Sequence, residues 1–349
     1  MRRTSTGAVV GVMLLTLAAC STGDPDEATP GAGAEPAEEA SEAAATPSDV
    51  ASEAGGGGGD YDIAFVQGVA GDEFYITMQC GIEEAAEELG VTVSTQGPQE
   101  FDPTLQTPIV DSVVAAAPDA LLIAPTDVTA MRRPIQAAMD AGIEVVLVDT
   151  TLEDPSGVVS QIASDNVGGG AAAFEAIEAA NPDGGKVLVI GVEPGISTTD
   201  ARAEGFEAAV AENPAFTSLG VQYSQNQPAR AAEIVTGALQ ADPDIVGIFA
   251  ANLFAAEGAA TGIRQAGVTG ITVVGFDAGP AQVEALKAGT VQALVAQEPA
   301  NIGRMGVEQA VAQLNGEETE PEIQTGFTII TAENVDTPEG QEAAYRAEC

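Results

Sequence analysis

The sequence predicts an α/β fold of two doubly wound parallel-sheet lobes, and three observations carry that expectation. Short, nearly continuous apolar runs recur along the chain, as expected of parallel strands covered by helices on both faces. Early runs begin about every 25–30 residues, the length of a strand, a crossover helix and two turns. There are also too many runs for one compact sheet of usual size. The rhythm breaks midway, where Ser164-Asp165-Asn166 is followed by Gly168-Gly169-Gly170. A length of 349 residues agrees, since domains are typically about 150 residues long.

Before the repeating units comes a segment of another kind. Arg2 and Arg3 form a positive start, and Val9–Leu17 is an apolar stretch too short to span a bilayer, the layout of a secretory signal over residues 1–19. Leu17-Ala18-Ala19-Cys20 resembles the bacterial lipobox, which implies cleavage before Cys20 and a lipid on that residue. Residues 21–60 carry ten acids and no base, with Val50 the one large apolar side chain and a glycine run at 55–59. Such a segment cannot bury enough apolar surface to offset its ordering entropy, so residues 20–59 are expected to be a disordered acidic tether behind the anchor. The glycine run is no phosphate loop, because no Gly-Lys-Ser/Thr follows it.

The expected strands are Ile63–Val66, Val91–Val93, Ala120–Ile123, Val145–Val148, Val187–Ile190, Val246–Ala250, Ile271–Gly275 and Gln292–Ala296. The expected helices are Glu83–Leu89, Leu105–Ala117, Met131–Ala141, Ala201–Glu212, Arg230–Gln240, Ala255–Gln265 and Ile302–Leu314, with right-handed crossovers. Around the first, Met78, Ile82, Ala85, Ala86 and Leu89 make a helical apolar stripe. Cys80 lies about 200° round from Met78, on the face of Glu83, Glu84 and Glu87. An exposed thiol on an exported protein invites a partner, and Cys349 is the remaining candidate. The alternatives are a Cys80–Cys349 disulfide or two unpaired thiols.

Composition narrows the function. With Lys+Arg 11 against Asp+Glu 53, a net charge of −42, nothing could neutralise a row of phosphates, so nucleic acid is excluded as a partner. The absence of His removes Ser-His-Asp and Cys-His nucleophiles and every His-ligated zinc site. Lys186 and Lys287, the only lysines, supply Schiff-base chemistry poorly. No cofactor, metal or catalytic residue is expected.

In open parallel sheets, ligands bind beyond the carboxyl ends of the strands. A loop with Asp72, Phe74 and Tyr75 follows the first run. Asp149 and Thr150 follow the fourth, and Asn252, Asp277 and Gln297 follow the last three. Arg202 opens a helix shortly after Val187–Ile190. Carboxylates, amides and a guanidinium suit a polyhydroxylated ligand, and the two aromatics can cover the apolar face of a sugar ring.

These strings together resemble the ribose-binding-like, type I periplasmic binding proteins, the sugar-binding subunits of bacterial ABC importers. The matching strings are Ile63-Ala64-Phe65-Val66, Pro125-Thr126-Asp127, Val148-Asp149, Ile162-Ala163-Ser164-Asp165-Asn166, Arg202-Ala203-Glu204-Gly205-Phe206, Ile248-Phe249-Ala250-Ala251-Asn252, Val274-Gly275-Phe276-Asp277 and Ala296-Gln297. The resemblance spans Asp62 to Thr331 and implies two lobes joined by a three-stranded hinge. Crossings would fall near Ser164, Glu298 and Gly326, giving lobes of 60–164 with 298–326, and 165–297 with 327–349. It implies that Phe74 and Tyr75 flank a sugar while Asp149, Arg202, Asn252, Asp277 and Gln297 bond its hydroxyls. Asp72, Thr150 and Asn226 depart from the ribose-binding pattern of Asn, Arg and an aromatic there. That widens the expected ligand to another pentose, a hexose, a deoxysugar or a polyol.

The expected function is a monomeric lipoprotein at the outer face of the cell membrane that delivers its sugar to an ABC permease. The alternatives are a sugar sensor for a membrane signalling partner, or an exported glycosidase using Asp149 and Asp277. The related lactose-repressor family shares the core, but it carries a helix-turn-helix where this chain has a signal and an acidic tether.

Overall fold

A computed structural model describes residues 60–349. The signal segment, Cys20 and the tether lie outside the described residues. Twelve strands and ten helices alternate among the described residues.

The first sheet has the order β11-β5-β4-β3-β1-β2. Its strands are β1 (Asp62–Val66), β2 (Thr92–Gln96), β3 (Ala120–Ile123), β4 (Glu144–Val148), β5 (Ser160–Ser164) and β11 (Glu322–Thr325). The second has the order β12-β10-β9-β8-β6-β7. It comprises β6 (Gly185–Gly191), β7 (Phe216–Tyr223), β8 (Ile245–Ala250), β9 (Thr272–Phe276), β10 (Ala293–Gln297) and β12 (Phe327–Thr331). Every pairing is parallel except β10 with β12, where Gln297 faces Phe327. The two-lobed, doubly wound α/β architecture stands as the sequence predicts.

All eight expected runs are strands. The four strands that continuous apolarity missed are β5, β7, β11 and β12. Three of these lie at sheet edges, and β5 alternates between buried and half-buried residues along Ser160–Ser164. Such strands need little apolar sequence.

Helices α1 (Glu73–Leu89) and α5 (Ser197–Glu212) begin earlier than the apolar stripes indicate. Asp72 caps α1, its Oδ1 accepting from the Phe74 amide at 2.8 Å, so Phe74 and Tyr75 lie in the first helical turn and not in a loop. The Gly168-Gly169-Gly170 break is in fact inside helix α4 (Asn166–Ala180). The chain passes from the first sheet to the second beside it, and the glycines serve packing. A Cβ on Gly170 would sit 2.0 Å from the carbonyl oxygen of Arg202, so only glycine lets α4 and α5 approach this closely. The first lobe repeats the device: a Cβ on Gly81 of α1 would sit 2.0 Å from the Ala300 carbonyl oxygen of α9 (Pro299–Leu314).

The chain leaves one sheet for the other between β5 and α4, between β10 and α9, and between β11 and β12. The tail adds a fourth crossing. Tyr345 N donates to the Ala278 oxygen of the second lobe at 2.9 Å, and Arg346 N donates to Thr77 Oγ1 of α1 at 2.8 Å. Residues 327–349 therefore do not all belong to the second lobe, because the last four dock on the first. A disulfide joins Cys349 to Cys80, with the Cα atoms 5.3 Å apart. Cys80 is 2% exposed, which corrects its expected place on an exposed face.

Candidate functional site

The carboxyl ends of both sheets face one cavity, with about 410 Å³ of empty space, part of it open to solvent. Asp72, Phe74, Tyr75, Phe101 and Asp149 line it from the first lobe. Val192, Ile196, Thr198, Thr199, Arg202, Asn226, Asn252, Asp277 and Gln297 line it from the second.

Asp149 closes β4 in a γ-turn, with φ +66° and the Thr150 amide donating back to the Val148 oxygen at 2.8 Å. The turn carries Thr150 away from the cavity. Its hydroxyl donates to the Pro125 oxygen at 2.7 Å, so Thr150 is not on the wall. Tyr75 donates its hydroxyl to Asp149 Oδ2 at 2.7 Å. Burial pushes the Asp149 carboxyl up to about 6, against the opposing pull of Arg202 and the Tyr75 hydroxyl. Burial, reinforced by Asp277, also raises Asp72 well above the usual carboxylate range. It raises the Tyr75 hydroxyl too, which stays protonated and able to donate.

Asp277 follows β9 with φ +77°. Its Oδ2 accepts from the Leu253 amide at 2.8 Å; its Oδ1 accepts from Gln297 Nε2 at 2.6 Å and the Tyr345 hydroxyl at 3.0 Å. Asn252 caps α7 (Leu253–Ala266), accepting from the Ala255 amide at 3.1 Å and donating to Asn226 Oδ1 at 2.7 Å.

Arg202 is 3% exposed. Its Nε donates to Asn166 Oδ1 at 2.8 Å and its Nη1 to the Ala251 oxygen at 2.9 Å. Its Cζ lies 3.7 Å from the Phe276 ring centroid. The close approach of α4 and α5 at Gly170 sets this placement, and Phe276 is backed by Phe249 and Phe206. Among the described residues, no carboxylate lies within ion-pair distance of the guanidinium.

Nine of the ten expected site residues thus share one wall, and Thr150 does not. The sequence reading omitted Phe101, Val192, Ile196, Thr198 and Thr199. Each follows a strand of its sheet, so the strand-end rule could have found them. Thr199 Oγ1 matters most: it is buried and, among the described residues, has no hydrogen-bond partner. A buried hydroxyl without a partner is unfavourable unless something else completes it. Among the described residues, no group of three or more His, Cys, Asp or Glu is placed to hold a metal ion. No helix there is long and apolar enough to cross a membrane.

Residues 63–318 match the family model for the periplasmic binding protein domain. The ribose import binding protein RbsB of Salmonella typhimurium is 32% identical over 268 residues, covering 77% of this chain and 90% of that one. A crystal structure of an ABC transporter solute-binding protein from Agrobacterium vitis, bound with α-D-tagatopyranose, is 42% identical with a TM-score of 0.80. It covers 82% of this chain and 99% of its own. A second Agrobacterium vitis solute-binding protein, with bound D-fucose, is 31% identical with a TM-score of 0.78, covering 81% of this chain and 100% of its own. These relatives are binding proteins of sugar transport, not enzymes. With that fold, that cleft and these relatives, the chain belongs to the periplasmic binding protein domain family, among the sugar-binding proteins of ABC transporters.

Proposed function

We propose that the protein captures a single monosaccharide or polyol between its lobes and delivers it to an ABC permease from the outer face of the cell membrane. The observation that carries this reading is the cavity wall. Asp149 and Asp277 come from matching strand ends of the two sheets, Arg202 and Asn252 sit beside them, and the Thr199 hydroxyl has no partner among the described residues. Asp72, Phe74, Tyr75, Asn226 and Gln297 complete the ligand-binding set, and Thr199 joins it. A sugar presents hydroxyls to such acceptors and donors and an apolar ring face to the aromatics. The family implies a place outside the cytoplasm. The lipobox-like Leu17-Ala18-Ala19-Cys20 supports a lipid on Cys20, and the acidic segment behind it supports a tether long enough to reach a permease. The protein acts as a monomer.

Binding of α-D-tagatopyranose by the 42%-identical relative makes D-tagatose the first sugar to test. Titration calorimetry with D-tagatose, D-fucose, D-ribose, D-allose and a polyol should give saturable binding to at least one. Thr199→Val should weaken that binding about fivefold, the loss of one hydrogen bond to the ligand. No binding across the panel would overturn the reading. For the anchor, wild-type protein should fractionate with membranes and Cys20→Ala should not.

A further inference from the structure

We infer that the C-terminal tail is part of the sugar site, with Tyr345 as a positioning residue for Asp277, Gln297 and Phe74 that the Cys80–Cys349 disulfide keeps in place. The inference rests on the sugar-binding reading above. Tyr345 does not line the cavity; it stands behind the wall, 6% exposed. Its hydroxyl donates to Asp277 Oδ1 at 3.0 Å and accepts from the Gln297 amide, also at 3.0 Å. Its ring packs edge-on against Phe74, centroids 5.9 Å apart. One side chain from the end of the chain thus touches a carboxylate, an amide residue and an aromatic of the site, drawn from both lobes.

The hydroxyl suits this task. Burial first, then the nearby Asp277 charge, pushes it well above its ordinary pKa, so it remains a donor at every relevant pH. A fixed donor and the Gln297 amide group together hold Asp277 Oδ1 in one orientation. Tyr345 also forms part of the wall of a second hollow on the hinge side, which shares Gln297 with the sugar cavity. Tyr345 and Gln297 therefore stand in the partition between the two.

What keeps the tyrosine seated is the chain on either side of it. Before it, its own amide donates to the Ala278 oxygen. After it, residues 346–349 are exposed and hold to α1 through the Arg346 amide bond to Thr77, an exposed Arg346–Glu84 ion pair at 3.0 Å, and the disulfide. An exposed ion pair contributes little, so the disulfide is the durable tie. It spans 269 residues of sequence and joins the end of the second lobe's chain to the first helix of the first lobe.

The test is calorimetric titration of the full-length protein with whichever panel monosaccharide the wild type binds. Tyr345→Phe keeps the ring and removes the hydroxyl, and should weaken binding about tenfold; because it also strands the buried Gln297 amide, the unliganded melting temperature should fall by a few degrees. In an Asp277→Ala background the same change should matter less than twofold, because the group it positions is gone. Cys349→Ser should weaken binding about threefold, and combining it with Tyr345→Phe should add nothing further. A Tyr345→Phe protein that binds within twofold of wild type overturns the inference, as does an undiminished loss in the Asp277→Ala background. A wild type that binds none of the sugars overturns the sugar reading itself, so the two failures are distinct.

Discussion

The two lobes answer the same design in different ways. Strands β1–β5 and β6–β10 follow the same order in their sheets, so β4 and β9 are counterparts, and each ends in an aspartate with a positive φ. Each aspartate's amide donates to the neighbouring strand at 2.8 Å, Asp149 to the Ile162 oxygen and Asp277 to the Val295 oxygen. Beyond the backbone the likeness ends. Among the described residues, the Asp149 carboxylate accepts from Tyr75 alone, whereas that of Asp277 accepts from Leu253, Gln297 and Tyr345. The first lobe brings to the cavity an aromatic surface and a carboxylate whose pKa burial raises to about 6. The second offers a locked carboxylate with a guanidinium and amides. Matched topology thus fixes where a recognition group stands, while the neighbouring side chains fix how firmly it is held.

The largest expected effect tests that difference directly. Asp277→Ala removes a carboxylate from the ligand's reach and also frees Gln297 and Tyr345, which that carboxylate holds, so it should weaken sugar binding by about a hundredfold, while the three protein donors it strands lower the stability of the free protein. Asp149→Ala frees only Tyr75 and should cost about tenfold in affinity. Equal losses by titration calorimetry would erase the contrast between a locked and a lightly held carboxylate.

Next comes the feature the lobes share. Gly170→Ala and Gly81→Ala each drive a Cβ into a carbonyl oxygen of the facing helix, and each should lower stability by about 1–3 kcal/mol in denaturant melts. Only Gly170→Ala should also weaken binding severalfold, since the carbonyl it meets belongs to Arg202. Parallel affinity losses in both variants would show that helix spacing, not Arg202, is the sensitive quantity.

The smallest effect is on pH dependence. Burial raises the native Asp149 carboxyl to about 6, above its unfolded value of about 3.9, so the native state holds that proton more tightly. The stability this confers is complete below about pH 4 and is lost as pH rises through about 6. Asp149→Asn, neutral and still able to accept from Tyr75, should therefore melt higher than wild type above pH 6, with the gap closing toward pH 4. Affinity moves the other way. The carboxylate accepts a sugar hydroxyl better than the protonated acid, so wild-type affinity should fall as pH drops through about 6 while that of Asp149→Asn stays flat. Superimposable profiles would remove Asp149 from the ligand's contacts.

Much of this was legible in the chain because parallel strands are buried on both faces and advertise themselves as apolar runs. Residues that directly follow such runs, Asp149, Asn252, Asp277 and Gln297, could be placed at the cleft by counting. The same counting could not separate Thr150 from Asp149, because a γ-turn sends adjacent side chains to different places. It misread Phe74 and Tyr75 as loop residues, since their helical turn depends on the Asp72 cap. It also took the glycines of α4 for a break, although the need for Gly170 is visible only against the Arg202 backbone.

The sequence alone determined the α/β class, the two lobes and most of the polar wall, because strand periodicity and strand-end position are local properties. Only the tertiary structure brings Cys80 to Cys349, leaves the Thr199 hydroxyl unpartnered among the described residues, and stands Tyr345 behind Asp277. Each of these depends on residues distant in the chain meeting in space. No local pattern encodes such a meeting; it is fixed when the two lobes and the tail pack together.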